Sequence, residues 1–111
     1  MFKVIQSLDE MIKLKEEESI LLGYFSTDTC NVCKVLKPKV AELIENEFPE
    51  IKLVYIKSDV FPEIAAQFQV FVAPTILVFF EGKEFIRRSR NIGIDELRRE
   101  ISRPYSILFS K

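Results

Sequence analysis

Apolar residues in this chain gather into short continuous runs and into stripes spaced three or four positions apart. The continuous runs are Ile20-Leu21-Leu22-Gly23-Tyr24-Phe25, the largely apolar stretch from Ile51 to Lys57, and Thr75-Ile76-Leu77-Val78-Phe79-Phe80. Bounded runs of this length predict strands. The first, which is apolar without alternation, predicts a central strand covered on both faces. The stripes are Leu8, Met11, Ile12 and Leu14, then Leu36, Val40, Leu43, Ile44 and Phe48, then Leu97 and Ile101. They predict helices over about 8–18, 30–48 and 95–102. A shorter helix is expected within 59–68, with Pro62 near its first turn. Phe2 to Ile5 adds a short first strand, and Glu81-Gly82-Lys83 turns the chain into a last strand over 84–90.

Boundary residues agree with these elements. Ser7 and Glu10 have capping-box form, with the serine serving the Glu10 amide and the glutamate reaching back to the serine. Ser26-Thr27-Asp28-Thr29 supplies turn and N-cap residues before the second helix. Pro38 lies inside that helix's apolar stripe and is expected to kink it, because the pattern resumes afterwards. Pro49 closes the segment. Pro104 is expected to stop the last helix near Ser102, leaving residues 103–111 as a tail carrying Ile107, Leu108 and Phe109. The order βαβαβαββα predicts an α/β protein. Early βαβ units imply parallel pairing and the late hairpin an antiparallel edge, giving a three-layer α/β/α sandwich around a small mixed sheet. We find no repeat, linker or low-complexity stretch, so residues 1–111 are read as one domain.

Composition narrows the function classes. Of 111 residues, 48% are hydrophobic and 30% charged, the balance of a soluble globular protein. The N-terminus has no apolar signal-like segment, and no apolar run approaches the ~20 residues needed to cross a bilayer. A cytoplasmic location and no membrane partner are therefore expected. A net charge of −1 argues against a nucleic-acid partner. Its distribution is uneven, with 8 basic and 13 acidic residues through Gly82 against 8 basic and 4 acidic from Lys83 onward. Every arginine falls in that last section, which reads either as solvated faces or as a docking surface. The chain has no histidine, which removes histidine acid–base chemistry and Cys–His nucleophile pairs.

Two cysteines, Cys30 and Cys33, carry the chemistry. Cys30-Asn31-Val32-Cys33 falls between a predicted buried strand and a predicted helix. Positions i and i+3 in a first helical turn share a face, so the two sulfurs lie within bonding reach at the positive end of the helix dipole. In a reducing compartment a lone pair of this kind reads as catalytic or redox-sensing rather than as a staple. Two thiolates do not complete a zinc shell, so no metal site is assigned. No Gly-rich loop is present to cradle a nucleotide, so no cofactor is expected. The alternative for the pair is two buried small hydrophobes without a redox role.

The element order, the C-x-x-C after the central strand and Val72-Ala73-Pro74-Thr75 together resemble the thioredoxin family, over about Phe2 to Ser102. Pro38 falls at that family's helix-kinking proline, Pro74 at its cis-proline and Gly82 at its hairpin glycine. The resemblance implies a thiol–disulfide oxidoreductase that reduces protein disulfides and contributes to redox homeostasis. Cys30 would attack and Cys33 would resolve the mixed disulfide. A cis Ala73–Pro74 bond would expose the Ala73 backbone to an extended substrate segment. Electrons would come from a reductase or another thiol. For Phe68-Gln69-Val70-Phe71-Val72, core and sheet entry are weighed against a substrate groove. The chain departs from the family at Thr29, where tryptophan is usual, at Asn31-Val32, where Gly-Pro is usual, and at Tyr24 and Tyr55, where a buried aspartate and a lysine are usual. A tyrosine at position 24 donates a hydrogen bond but is a poor base at neutral pH. Asp28 would oppose a thiolate at Cys30 if it lay close, and Lys34 would favour one. Dithiol–disulfide exchange with an altered potential and partner choice is therefore expected. The competing reading is a binding or adaptor module of the same fold, docking through the groove near Pro74 or the arginine-rich face with little redox turnover.

Overall fold

A computed structural model describes residues 1–109; the last two positions of the expected tail, 110 and 111, lie outside the described residues. The elements are β1 (Lys3–Val4), α1 (Leu8–Glu17), β2 (Ile20–Ser26), α2 (Asn31–Glu47), β3 (Lys52–Lys57), α3 (Pro62–Gln67), β4 (Thr75–Phe80), β5 (Lys83–Ser89) and α4 (Ile94–Phe109). The five strands form one sheet in the order β1-β3-β2-β4-β5. β3 pairs parallel to both β1 and β2, while β4 runs antiparallel to β2 and to β5. All seven residues of β2 are buried, which accounts for its unbroken apolar run.

Strand parity divides the core into two layers. Ile20, Leu22 and Tyr24 of β2 join Ile76, Val78 and Phe80 of β4 on the face covered by α2 and α4. Leu21 and Phe25 join Leu77 and Phe79 on the opposite face, against Met11 of α1 and Ile64 of α3. Successive strand side chains point to opposite faces, so each central strand supplies both layers. Gly23 lies beneath Met11 of α1: a Cβ there would meet Phe25 Cε1 at 3.3 Å and Met11 Cε at 3.4 Å.

Local signals mostly act as expected, with two corrections. Ser7 caps α1 by accepting the Glu10 N–H at 3.1 Å. The Glu10 carboxylate, however, accepts the Gln6 N–H at 2.8 Å rather than that of Ser7. Lys3 Nζ lies 3.4 Å from the same carboxylate and draws it toward β1. The hairpin between β4 and β5 turns through Glu81 (φ 52°) and Gly82 (φ 79°), the two positive angles that a type I′ turn requires.

The larger correction concerns Pro104, which does not stop α4. The helix runs through it to Phe109. Pro104 offers no N–H to the carbonyl of Glu100. The turn beyond it is held by side-chain packing instead: Tyr105 packs edge-on against Phe48 at 5.0 Å and, within the helix, against Phe109 at 4.9 Å, and Leu108 and Phe109 rest on the α2/α4 core layer. Burial of these rings outweighs the local rule that a proline ends a helix.

Candidate active site

The cysteine pair sits where β2 hands the chain to α2. Beyond Ser26 the turn closes with the Cys30 N–H donating to the Thr27 carbonyl at 3.2 Å. Cys30 itself is the N-cap of α2, not one of the four residues before it, and its Sγ accepts the Cys33 N–H at 3.1 Å. A sulfur thus takes the place of the usual capping oxygen and satisfies one of the free donors at the helix start. Cys30 and Cys33 form a disulfide with a Cα–Cα distance of 5.3 Å. Cys33 is almost fully buried at 1% exposure, whereas Cys30 is half-buried at the rim. Asn31 and Val32 between them are exposed. When the disulfide is reduced, the N–H on Cys30 Sγ and the positive helix end both favour the thiolate over the thiol.

Tyr24 reaches this turn from the sheet. Its hydroxyl donates to the Cys33 carbonyl at 2.6 Å, and its buried ring stacks on Tyr55 at 5.9 Å. Burial, with a smaller contribution from Tyr55, pushes the Tyr24 phenol well above its ordinary value. It stays protonated through the range in which thiols titrate, and it serves as a donor to backbone rather than a base for sulfur. Pro38 lies inside α2 as expected, leaving the Lys34 carbonyl without its usual N–H partner. The backbone N–H of Asp28 donates to Asp59 Oδ2 at 3.3 Å. Neither Asp28 nor Lys34 forms an ion pair among the described residues.

The Ala73–Pro74 peptide bond is cis. Thr75 Oγ1 donates to the Val72 carbonyl at 2.7 Å and lies 3.0 Å from Ser89 Oγ. The Arg90 N–H donates to the Pro74 carbonyl at 2.8 Å. Ala73 and Cys30 pack on the edge of the same core layer. A cleft of ≈ 580 Å³ opens on one side of the pair, lined by Asn31, Val32, Val35, Lys39, Arg90 and Ile92 among others. A second, of ≈ 380 Å³, runs past Thr27, Asp59, Phe71, Val72 and Ala73. The aromatic stretch before Pro74 therefore divides its roles. Phe68 packs on Phe25 and Phe79 and Val70 is buried, but Phe71 is 83% exposed at the second cleft. Sequence reasoning passed over Phe71 as an individual residue and read Arg90 only as one member of the arginine-rich section. Nothing in the local pattern sets Arg90 apart from its neighbouring arginines.

A half-buried sulfur at a helix start, a buried partner one turn on and a cis X–Pro bond whose alanine packs on the same core layer as Cys30 define a thiol–disulfide oxidoreductase centre. The thioredoxin family model matches residues 4–103, and the chain belongs to the thioredoxin family. It is 34% identical over 84 residues to the thioredoxin-like protein YdfQ of Bacillus subtilis, covering 76% of this chain and 74% of that one. It is 29% identical over 91 residues to thioredoxin H2 of Arabidopsis thaliana, covering 82% and 67%. Among solved structures, Fasciola hepatica thioredoxin superposes with a TM-score of 0.72 at 29% identity, covering 86% of this chain and 89% of that one. The oxidised mitochondrial thioredoxin 3 of Saccharomyces cerevisiae shares the fold, with a TM-score of 0.82 at 23% identity and coverage of 91% and 93%. The protein is a thioredoxin-type thiol–disulfide oxidoreductase with a redox pair at Cys30–Cys33. The family implies disulfide substrates and a reductase partner.

Proposed function

We propose that the protein reduces disulfides in polypeptides, with Cys30 as the attacking thiol and Cys33 as the resolving one. The observation that carries this assignment is the asymmetry of the pair: Cys30 Sγ is at the rim and accepts an amide N–H, while Cys33 is buried behind it. The Cys30 thiolate attacks one substrate sulfur. A Cys30–substrate bond forms, the substrate disulfide breaks, and the displaced sulfur takes a proton from water. Cys33 then gives its proton to water and attacks Cys30 Sγ, re-forming the Cys30–Cys33 bond and releasing the second substrate sulfur. Two electrons leave the protein dithiol and the substrate disulfide becomes two thiols. A reductase or a low-molecular-weight dithiol returns the electrons. The Ala73 backbone, packed on the same core layer as Cys30 and followed by the cis bond, offers an extended substrate segment a pairing edge. A cytoplasmic setting suits this direction of transfer, because its thiol pool keeps such a couple reduced.

The test is Cys33→Ser. Without the resolving thiol, the first step proceeds and the second does not, so mixed disulfides between Cys30 and substrate polypeptides accumulate and are released by dithiothreitol. Unchanged non-covalent binding with no trapped species would overturn the assignment in favour of an adaptor role.

A further inference from the structure

We propose that Arg90 selects polypeptide substrates that carry an aspartate or glutamate beside the disulfide, by presenting its guanidinium to that carboxylate at the rim of the Cys30–Cys33 site. The inference rests on the reductase reading above and names its substrate class. Arg90 is placed for the task. Its N–H is bonded to the Pro74 carbonyl, so its backbone is tied to the cis-proline turn, and it lines the same cleft as Asn31 and Val32 of the redox loop.

Its conformation is also informative. Arg90 has φ 67°, in the left-handed region where a Cβ crowds the backbone and glycine alone sits without penalty. The chain holds a long cationic side chain at a position where glycine would be more stable. Unfavourable backbone angles of this kind gather at ligand-binding sites, where the side chain is needed.

The charge of Arg90 is left unanswered. Arg87 pairs with Glu84, Arg88 with Glu100, and Arg98 with Glu47 and Asp95; Arg90 forms no ion pair among the described residues, as is also true of Arg99 and Arg103, but of these three Arg90 alone lines the cleft beside the redox loop. Among the described residues no carboxylate lines its cleft, and the one other charged residue there, Lys39, also borders a neighbouring cleft that contains Glu42 and Glu47. Val32 and Val35, 55% and 61% exposed, give the cleft an apolar surface that suits a peptide backbone. The second cleft, bordered by Thr27 and Ala73, presents Asp59 instead, so an acidic residue is favoured at the Arg90 cleft and opposed at that one. Arginine suits this role because its planar fork meets a carboxylate in two parallel hydrogen bonds.

The experiment uses pre-reduced protein and two peptides, each dimerised through a single cysteine, alike except for Glu or Lys next to that cysteine. Single-turnover rates are divided by those for dithiothreitol, an uncharged thiol, to remove the intrinsic reactivity of each disulfide. The expected result is that the Glu peptide is reduced roughly two- to fivefold faster at low salt, as fits a partly exposed charge pair, and that the ratio shrinks in 0.5 M salt. Arg90→Gly removes the cation and relaxes the left-handed backbone, so the variant folds and its two rates converge; Arg90→Lys keeps part of the preference. Equal rates with the unaltered protein, or a preference that survives Arg90→Gly, would overturn the inference. Faster normalised reduction of glutathione disulfide than of the Glu peptide would overturn the choice of a polypeptide substrate. Failure to reduce either peptide would overturn the reductase reading itself, and this inference with it.

Discussion

Tyr24 shows how one hydroxyl ties the sheet to the redox loop. Replacing it with phenylalanine keeps the ring against Tyr55 and removes the donor to the Cys33 carbonyl, so Tyr24→Phe should lower stability by about 1 kcal/mol in urea unfolding. The raised phenol adds a pH dependence whose sign is fixed. Below the ordinary tyrosine value near 10, folded and unfolded chains both hold the proton. Above it the unfolded chain releases the proton while the buried Tyr24 retains it, so stability falls as pH rises. The contribution is complete below about pH 10 and is lost above it; the Tyr24→Phe variant should show a shallower alkaline decline. The choice of donor was legible from residue type alone. That its acceptor is backbone was not, because the direction of a side chain depends on where strand β2 places it beneath α2. The same limit applies to Arg90, since nothing about an arginine signals a positive φ.

Among the elements, α4 departs furthest from its sequence pattern. A proline after Ser102 is a strong local stop signal, and the residues that override it are aromatic partners far away in sequence, chiefly Phe48. Two measurements separate these influences. Pro104→Ala restores an N–H to the Glu100 carbonyl and should stabilise the protein, by up to about 3 kcal/mol. Tyr105→Ala removes a half-buried ring from between Phe48 and Phe109 and should destabilise it by about 1–2 kcal/mol in the same denaturant assay. The central strands β2 and β4 and helix α2 were readable because their burial is complete or one-sided. The stripe Leu36, Val40, Leu43 and Ile44 maps directly onto the buried face of α2. The capping of α2 was harder to read, since cysteine is not a residue one expects to cap a helix.

At the scale of the molecule, the uneven charge along the chain is partly folded into internal ties. Arg98 joins α4 to Glu47 of α2, Arg88 of β5 reaches Glu100 of α4, and Arg87 donates to the Phe68 and Gln69 carbonyls where α3 ends. The arginine-rich section is therefore as much a set of struts as a solvated face, a distinction that composition does not reveal. Net charge near zero also has a bulk consequence: solubility should be lowest near the isoelectric point of about 5.6, measurable by precipitation across pH 4–8. The outer strand β5 carries a further one. Its pairing with β4 slips between Val78 and Phe79, so that Val78 faces Ile86 while Phe79 faces Glu84 and Phe85 has no opposite number. An incoming chain would find the ladder out of step at Phe85 and charged residues on either side of it, at Lys83, Glu84, Arg87 and Arg88. The other border, β1, is only two residues long. Both open sides of the sheet thus discourage strand-to-strand growth into fibres.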